Sequence, residues 1–270
     1  MIIAGIVSYN PDIGRLKENI EAVISQVTEI VLVDNASNNF SDIQLMIEQK
    51  EKVSLIANSQ NRGIAAALNQ LLSYAVHKGA EWLLSLDQDS VVPAEYVKKM
   101  MAGGVDPSVA LLAPNILDRN DGGRVLLSGT GVVKIKECIT SGTMMNIHAC
   151  KKIGYFDEKM FIDYVDFEYC YRVKQFGYDI VRNNDVVLLH QLGNGRVASF
   201  LGKSFMVTNH SAIRHYYIVR NCVYLMKKHR WLIRGVRGVL QEFFIVMGYE
   251  RDRILKMKYM FKGILDGVRM

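Results

Sequence analysis

The chain lacks, or is poor in, the features that mark several large classes of protein. Its 4 cysteines form no Cys-x-x-Cys pair and have no zinc-finger spacing, so we expect reduced thiols in a cytosolic protein. Only 4 residues are proline and 50% are hydrophobic, which excludes a disordered chain. No apolar run approaches the ~18 residues needed to span a bilayer. The first residues have neither the basic leader nor the cleavage site of a signal peptide, so we expect a folded protein that is not integral to a membrane.

Two sequence fingerprints for phosphate binding are absent as well. The first predicted turn from strand to helix reads Ser8-Tyr9-Asn10-Pro11-Asp12-Ile13-Gly14, without the Gly-x-Gly-x-x-Gly of dinucleotide-binding folds. No Walker Gly-Lys-Ser/Thr motif occurs in the chain. A phosphate-bearing ligand would have to be held in another way, and a divalent cation on a carboxylate is one such way.

Acidic residues are scarce in the last quarter of the chain. Residues 209–270 contain 13 Lys and Arg against 4 Asp and Glu, although the whole chain has a net charge of only +6. Residues 1–208 are therefore net negative. This asymmetry predicts a separate role for the last quarter of the chain and an anionic partner for it.

The sequence that is present centres on one short apolar run. The run from Trp82 to Leu86 is too short for a helix and predicts a buried strand, which ends in Asp87 and Asp89. In open α/β sheets, ligands bind at the carboxyl ends of strands, where paired carboxylates can hold a hard cation. Asp at a strand end also caps backbone amides, so this motif alone leaves both interpretations open.

Strand and helix patterns alternate through the first half of the chain. The β-rich runs cover residues 2–7, 29–33, 53–57 and 82–86. Helical patterns lie between them, including an alanine-rich one from Ile64 to His77. This alternation predicts an α/β fold with a doubly wound, mostly parallel sheet and flanking helices.

The polar ends of these four strands are expected at one edge of the sheet, because right-handed crossovers bring them there. The side chains expected at that edge are Ser8, Asn10, Asp34, Asn35, Asn58, Asp87 and Asp89. Asn and Asp also simply terminate strands. Four successive strands that end in this way nevertheless favour a polar ligand.

A second acidic cluster lies at residues 154–172. Asp166 stands at a predicted helix start among apolar neighbours, where its pKa and direction can be set as a general base requires. Glu168 and Arg172 can pair at i,i+4, and a solvated charged face explains them as well as catalysis does. His190 follows a short apolar run; a lone histidine is more often structural, but a neutral imidazole also suits Mn²⁺ beside a carboxylate.

Taken in order, these motifs resemble inverting glycosyltransferases of family 2 with the GT-A fold. The resemblance covers residues 1 to about 225 and begins with Ser8-Tyr9-Asn10, Val33-Asp34-Asn35-Ala36-Ser37, Asn58 with Asn61-Arg62-Gly63, and Leu86-Asp87-Gln88-Asp89. It implies a nucleotide-sugar site formed by Ser8, Tyr9, Asn10, Asp34, Asn35, Asn58, Arg62, Gly63 and Asp87. Within that site it places Tyr9, Asp34 and Arg62 at the base and ribose. Asp87 would meet the ribose or the metal, and Asp89 would hold Mg²⁺ or Mn²⁺ on the diphosphate.

The resemblance extends to the second acidic cluster. The run from Phe161 to Glu168 matches the family segment Phe-x-Asp-x-x-Asp-x-Glu, whose Asp two before the Glu is the catalytic base, here Asp166. Tyr169 stands where many relatives have Trp, and His190 corresponds to a histidine metal ligand of the family. Together with the run from 214 to 221, this segment is most like rhamnosyltransferases of bacterial cell-surface polysaccharide synthesis.

The function implied by this resemblance is a metal-dependent, inverting transfer of a sugar, L-rhamnose from dTDP-L-rhamnose. The acceptor would be a saccharide, or a polyprenyl-diphosphate-linked saccharide, in polysaccharide or O-antigen assembly. Another nucleotide sugar (UDP-hexose or UDP-galactofuranose) and a non-catalytic peripheral membrane scaffold remain alternatives. A glycoside hydrolase would not need the nucleotide edge, and the Gly-rich N-terminal loop of a sugar nucleotidyltransferase is missing here.

We expect a catalytic domain at residues 1–208 and a basic amphipathic helical region at 209–270. The catalytic domain would have a nucleotide-sugar half at about 1–105 and an acceptor half at about 106–208. In the basic region, apolar residues between Ile213 and Met226 interleave with arginines, and two basic runs (227–230 and 234–237) and the apolar run 243–247 follow. Such bands suit a helix in an anionic membrane interface. Packing on the catalytic domain, or on a second subunit of a homodimer, explains the same pattern. We expect a cytoplasmic protein, peripheral on the inner face of the cell membrane, with no nucleic-acid partner.

Overall fold

The computed structural model describes residues 1–102, 106–118, 129–190, 196–200 and 203–270. The chain forms two compact units. The sheet unit comprises Met1–Lys159 and Asp166–Gln191, and the helical unit comprises Met160–Val165 and Leu192–Met270. The expected domain boundary between residues 208 and 209 falls inside the helical unit, because that unit begins its longer segment at Leu192.

The first part of the sheet unit alternates strands and helices as the sequence predicts. Its elements are β1 (Ile2–Ser8), α1 (Ile13–Val23), β2 (Glu29–Asp34), α2 (Phe40–Ile47), β3 (Val53–Ala57), α3 (Ile64–His77), β4 (Trp82–Asp87) and α4 (Tyr96–Ala102). Asp12 caps α1 by accepting a hydrogen bond from the Arg15 amide at 2.9 Å. The four predicted strands and the helix at 64–77 are confirmed.

The rest of the sheet unit has shorter and more varied elements. These are β5 (Val109–Asp118), β6 (Val132–Lys134), β7 (Met144–Asn146), α5 (Ile147–Ile153), α6 (Val165–Gln175) and β8 (Asp179–His190). Asn146 caps α5 by accepting a hydrogen bond from the His148 amide at 3.0 Å. The predicted helix start at Asp166 is confirmed by α6.

The described strands of this unit form an eight-stranded sheet in the order β3-β2-β1-β4-β7-β5-β8-β6. β6 and β7 run antiparallel to their neighbours, and the other pairings are parallel. α3 lies close against β1, since a Cβ added to Gly5 would be 2.8 Å from Leu71 Cδ1. The predicted α/β fold with a mostly parallel sheet is confirmed.

The helical unit contains β9 (Arg196–Phe200), β10 (Lys203–Val207), α7 (Ala212–His229), α8 (Leu232–Tyr249) and α9 (Arg253–Arg269). β9 and β10 form an antiparallel pair. α9 packs closely on α7, because a Cβ on Gly263 would lie 2.6 Å from the Tyr216 carbonyl oxygen. The buried apolar centre is formed by Val219, Val246 and Met260, one from each helix.

The helical unit also buries a cluster of ionisable groups. His215 is fully buried, with Nδ1 2.7 Å from Glu242 Oε1 and Nε2 2.8 Å from Glu250 Oε2. Buried Lys256 donates to Glu250 Oε2 at 2.8 Å and to Asn209 Oδ1 at 2.8 Å. Burial opposes protonation of His215, but the two carboxylates outweigh it and raise the pKa of His215. Burial alone would raise the pKa of Glu250, but the positive charges of Lys256 and His215 outweigh burial, and the pKa lies below its ordinary value.

The described helices include none that is both long enough and apolar enough to cross a membrane.

Candidate active site

The carboxyl ends of four neighbouring strands bring the predicted polar residues together. In the sheet register Ser8 lies opposite Asp34, Val7 lies opposite Asp87, and Asp34 lies opposite Ala57. The backbone ladder continues past the strand ends, because the Asn35 amide donates to the Ser8 carbonyl at 2.8 Å. The sequence-based expectation that these ends share one edge is confirmed.

Asp34 is buried at this edge, with only 1% of its surface exposed. Its Oδ1 accepts hydrogen bonds from Ser8 Oγ at 3.1 Å and Ser37 Oγ at 2.5 Å, and its Oδ2 accepts from the Ser37 amide at 2.9 Å. Ser37 Oγ in turn accepts from the Asn10 amide at 2.8 Å. The Asp34 carboxylate therefore fixes the turns after β1 and β2 to each other.

Asn35 organises the loop that leads into α3. Its Oδ1 accepts from the Arg62 amide at 2.9 Å and from Asn58 Nδ2 at 3.1 Å, and its Nδ2 donates to Asn61 Oδ1 at 2.9 Å. Gly63 is the N-cap residue of α3 and has φ +81°, a left-handed conformation that favours glycine. The buried amide of Asn35 thus sets the backbone of the loop that carries the Arg62 side chain.

Three predicted site residues present their side chains to solvent at the same edge. Tyr9 is 48% exposed, and its amide donates to Gln88 Oε1 at 2.8 Å. Asn10 is exposed in a left-handed turn at φ +47°. Arg62 is exposed, with Nη2 3.7 Å from Glu158 Oε2. Ser8, Asp34 and Asn35, by contrast, are buried at this edge.

Asp87 and Asp89 lie half-buried in the turn that follows β4. The turn is closed by the Ser90 amide, which donates to the Asp87 carbonyl at 3.2 Å. The buried Asn19 Nδ2 donates to the same carbonyl at 2.7 Å, and Ser141 Oγ accepts from the Asp87 amide at 3.3 Å. The backbone of the turn is held from several sides, so the two carboxylates start from fixed positions.

His190 ends β8, and its side chain lies outside the described residues. Its backbone pairs with Asp118 on β5, and an antiparallel bridge joins the preceding Leu189 to Val91. The backbone at the end of β8 therefore lies beside the chain that follows Asp89. Among the side chains that the structure describes, no group of three His, Cys, Asp or Glu residues could hold a metal ion.

Asp166 occupies the first turn of α6, where the positive end of the helix dipole favours a carboxylate. Its Oδ1 accepts a hydrogen bond from the Phe167 amide at 2.9 Å. Asp166 and Cys170 line one small cavity together with Thr140 and Thr143. The predicted shared face of Asp166 and Cys170 is confirmed.

Glu168 and Arg172 form the predicted i,i+4 pair, but the pair does not lie on a solvated face. Glu168 is fully buried, and Arg172 Nε donates to both of its carboxylate oxygens at 3.0 and 2.9 Å. Arg172 Nη1 and Nη2 also donate to the carbonyls of Ile153 and Tyr155 at 3.0 and 2.8 Å. The pair therefore holds α6 to the turn that follows α5.

The segment that precedes α6 is strained and belongs to the helical unit. Asp163 and Tyr164 both have left-handed backbones, at φ +66° and +64°, which costs free energy in residues with a Cβ. Within the same unit, Asn221 Nδ2 donates to the carbonyls of Ile162 and Asp163 at 2.7 and 2.9 Å. Arg214 Nη2 donates to Asp163 Oδ1 at 3.1 Å. The two segments most like rhamnosyltransferases in sequence are thus hydrogen-bonded to each other.

Sequence reasoning missed several residues that shape the site. Asn69, buried on α3, accepts from the Phe156 amide at 2.7 Å and donates to the Phe156 carbonyl at 3.0 Å. Its Nδ2 also donates to Glu158 Oε1 at 2.9 Å. Ser141 Oγ accepts a hydrogen bond from the Asp87 amide in the turn after β4, and Gln88 Oε1 accepts one from the Tyr9 amide. Their partners are far away in sequence, so no local pattern marks them; a polar residue on the apolar face of α3 was the one available signal.

The fold is similar to that of two solved glycosyltransferase structures. The crystal structure of GalNAc-T7 with UDP, GalNAc and Mn²⁺ has a TM-score of 0.62 and 15% identity, covering 84% of this chain and 47% of that chain. This chain thus spans about half the length of GalNAc-T7 in that structure. Staphylococcus aureus TarS 1-349 has a TM-score of 0.53 and 14% identity, covering 98% of this chain and 71% of that chain. These likenesses show the GT-A fold.

Sequence relationships are closer than these structural likenesses. The model of glycosyl transferase family 2 matches residues 4–154, which include the strand-end residues described above. The chain is also 31% identical over 287 residues to the dTDP-rhamnosyl transferase RfbF of Shigella flexneri, an alignment that covers 99% of this chain and 95% of that protein. The chain therefore belongs to glycosyl transferase family 2 and is a glycosyltransferase.

Proposed function

We propose that the protein transfers L-rhamnose from dTDP-L-rhamnose to a saccharide acceptor, with inversion at the anomeric carbon. The observation that carries this proposal is the 31% identity to a dTDP-rhamnosyl transferase over 99% of the chain. The site supports it, because carboxylates and hydrogen-bonding groups suited to a nucleotide sugar lie at the carboxyl edge of the sheet. UDP-hexose and UDP-galactofuranose are the competing donors.

The nucleotide of the donor is proposed to lie across the ends of β1, β2 and β4. Tyr9, Asn10 and Arg62 expose their side chains there and would make the direct contacts. Asp34 is buried, so we assign it to the bottom of the nucleotide site, below the base and ribose. Asn35 would act on the donor through the loop that it holds.

The chemical step is assigned to Asp166. One of its carboxylate oxygens takes the proton of the acceptor hydroxyl, while the oxygen of that hydroxyl forms a bond to the anomeric carbon. The bond between the anomeric carbon and the diphosphate oxygen breaks, and dTDP leaves with the bonding electrons. Because the attack comes from the side opposite the leaving group, the configuration at the carbon inverts. The α6 dipole and the Phe167 amide stabilise the carboxylate form that begins this step.

The chemistry of the residues after β4 fits a Mg²⁺ or Mn²⁺ ion. Asp87 and Asp89 are half-buried residues with carboxylate side chains, and oxygen donors are what these hard cations prefer. We assign Asp89 as a ligand, with His190 as a second and Asp87 beside them. When bound, the ion would neutralise the negative charge of the diphosphate.

The acceptor is proposed to be a polyprenyl-diphosphate-linked saccharide of polysaccharide or O-antigen assembly. Such a lipid would be met at the inner face of the cell membrane by a peripheral cytoplasmic protein. The basic excess of residues 209–270 supports this, because an anionic membrane surface attracts each nearby Lys or Arg by about 1 kcal/mol.

The test is a turnover assay of the full-length protein with each donor and a panel of saccharide acceptors. We expect nucleoside diphosphate release from dTDP-L-rhamnose, lost on addition of EDTA and restored by Mg²⁺ or Mn²⁺. Asp89→Asn should lose most of this activity, because cation stabilisation of the leaving group is worth several kcal/mol. Asp42→Asn, which changes an exposed carboxylate in the first turn of α2, is the matched control and should retain it.

Preferential consumption of a UDP-sugar would contradict the rhamnose assignment but leave the family intact. Turnover that is unchanged by EDTA and by Asp89→Asn would contradict the metal assignment.

A further inference from the structure

A row of large apolar side chains lies exposed along one side of α8. Its members are Leu232, Ile233, Val236, Leu240 and Phe244. Spacings of three and four residues place them on one side of the helix. Ile233 is 87% exposed, whereas Gly235 and Val246 are buried within the helical unit. α8 thus has one apolar side packed inward and a second apolar side that faces outward.

α9 carries a similar exposed row. Its members are Ile254, Phe261, Leu265 and Val268. The rings of Phe243 and Phe261 pack edge to face with centroids 5.2 Å apart, so the two helices meet beside these rows. We call the two rows together the α8–α9 face. An exposed apolar surface shared by two helices marks an interaction site more often than an ordinary protein surface.

The charges beside this face are almost all positive. Exposed Arg234 and Arg237 follow the row on α8, and exposed Lys258 and Lys262 interleave with the row on α9. Of the four acidic residues in 231–270, Glu250 is buried and two others are half-buried. A row of apolar residues flanked by Lys and Arg is typical of helices that lie in the interface of an anionic membrane.

α7 carries the first part of the predicted interfacial pattern but has no comparable exposed row; of its large apolar side chains, Ile213 at the start of the helix is exposed. Val219, Tyr224 and Leu225 of α7 are buried. Gly263 and Gly267 of α9 lie against the α7 backbone, where a Cβ on each would be 2.6 and 2.5 Å from an α7 carbonyl oxygen. The buried apolar residues of α7 therefore pack inside the helical unit, and the exposed apolar rows of that unit lie on α8 and α9.

We propose that the α8–α9 face is the surface that lies in an anionic membrane, with its apolar rows in the acyl boundary and its Lys and Arg at the lipid phosphates. This inference deepens the proposed membrane association and rests on it. A second copy of the chain is a poorer occupant, because it would bring the same arginines and lysines into one interface, where like charges repel. A membrane supplies anionic groups and apolar surface together.

The test uses the full-length protein and phosphatidylcholine vesicles with or without phosphatidylglycerol. We expect the wild type to co-sediment with the anionic vesicles at low salt and less at high salt. The double variant Ile233→Asp/Leu240→Asp should bind them about tenfold more weakly or worse, because it places charge in the apolar row. Leu45→Asp, at a 73% exposed leucine on α2 in the sheet unit, is the matched control and should bind as the wild type does.

The two tryptophans of the chain give a second readout. Trp231 immediately precedes α8, whereas Trp82 is buried in β4. In a Trp82→Phe background, fluorescence from Trp231 should shift to the blue when anionic vesicles are added and should be quenched by brominated lipid. An unchanged Trp231 signal on bound vesicles would overturn the placement of α8.

Undiminished vesicle binding by a folded Ile233→Asp/Leu240→Asp protein would overturn the proposal. So would light scattering that shows a dimer in the wild type and a monomer in the double variant, since a second copy would then cover the face. Turnover with a water-soluble acceptor should be unchanged in the double variant. If the wild type itself shows no turnover with that acceptor, the result counts against the proposed function. The vesicle results would still decide whether the α8–α9 face binds the membrane.

Discussion

The sheet unit and the helical unit distribute polar and apolar groups in opposite ways. In the sheet unit, apolar strands fill the interior and polar side chains gather at the ends of β1, β2 and β4. In the helical unit, His215, Glu250 and Lys256 are buried while apolar rows of α8 and α9 face outward. The first arrangement suits the proposed nucleotide-sugar site, and the second is the surface on which the proposed membrane contact rests.

The difference also predicts different responses to mutation. At the sheet edge, the side chains of Asp34 and Asn35 hold the loops, and Asp87, Asp89 and Asp166 are the carboxylates assigned to the chemistry. In the helical unit, each charge of the cluster compensates another in a desolvated place, so removal of one leaves the others unpaired. We expect activity variants in the first unit and stability variants in the second.

The largest effect is expected from Asp166→Asn in the sheet unit. The amide cannot accept the proton of the acceptor, so transfer should fall by about 10² to 10⁴ while donor binding persists. Single-turnover rates and donor affinity, measured separately, check this, with Asp42→Asn as the control. If donor affinity falls instead and the transfer rate at saturating donor is unchanged, Asp166 is a ligand contact and not the base.

In the helical unit, Glu250→Gln should lower stability strongly. It removes the negative charge between His215 Nε2 and Lys256 Nζ, each 2.8 Å from Glu250 Oε2, and leaves buried positive charge. Breaking a buried ion pair in this way costs about 3–5 kcal/mol. Thermal unfolding of the variant, compared with Asp252→Asn at an exposed acid of the same unit, measures the loss. Equal melting temperatures for the two variants would show that the buried cluster contributes nothing net.

Smaller effects on stability are expected from pH. Stability should fall with rising pH because of His215 and with falling pH because of His210. The folded pKa of His215 is raised, so its contribution is complete below 6.5, its ordinary value, and is lost as pH rises through the folded pKa. Burial and the nearby Arg214 lower the pKa of His210 to about 4, so stability is lost as pH falls from 6.5 towards 4. Melting curves against pH for His215→Gln and His210→Gln separate them.

His215→Gln should cost most below pH 6.5 and progressively less at alkaline pH. His210→Gln should remove part of the acid-side loss between pH 6.5 and 4. Parallel curves for the wild type and both variants would show that neither histidine changes its pKa on folding.

The sequence predicted the elements whose residues carry a local pattern. The strands that end at Ser8, Asp34 and Asp87, the helix at 64–77 and the helix start at Asp166 all follow from periodicity and length. The parallel order of these strands then brings their ends to one edge, so the position of the edge was predictable too.

Long-range partners decided what the sequence could not predict. Whether Asp34 faces a ligand or three donors from Ser8 and Ser37 depends on the fold of both loops. Glu168 is buried beside Arg172, and Arg172 is held there by the Ile153 carbonyl, which lies 19 residues away in sequence. An apolar pattern with arginines on α7 looks the same in sequence whether it faces lipid or the glycines of α9.

The most direct test of the account is equilibrium binding of dTDP-L-rhamnose to the full-length protein, measured by thermal stabilisation with and without Mg²⁺. At 100 times its Kd the donor should stabilise the protein by about 2.7 kcal/mol. We predict that dTDP-L-rhamnose stabilises the wild type in the presence of Mg²⁺ and stabilises Asp89→Asn much less, and that UDP-hexoses at equal concentration stabilise neither. Stabilisation by a UDP-hexose and not by dTDP-L-rhamnose, or equal stabilisation of the wild type and Asp89→Asn, would contradict it.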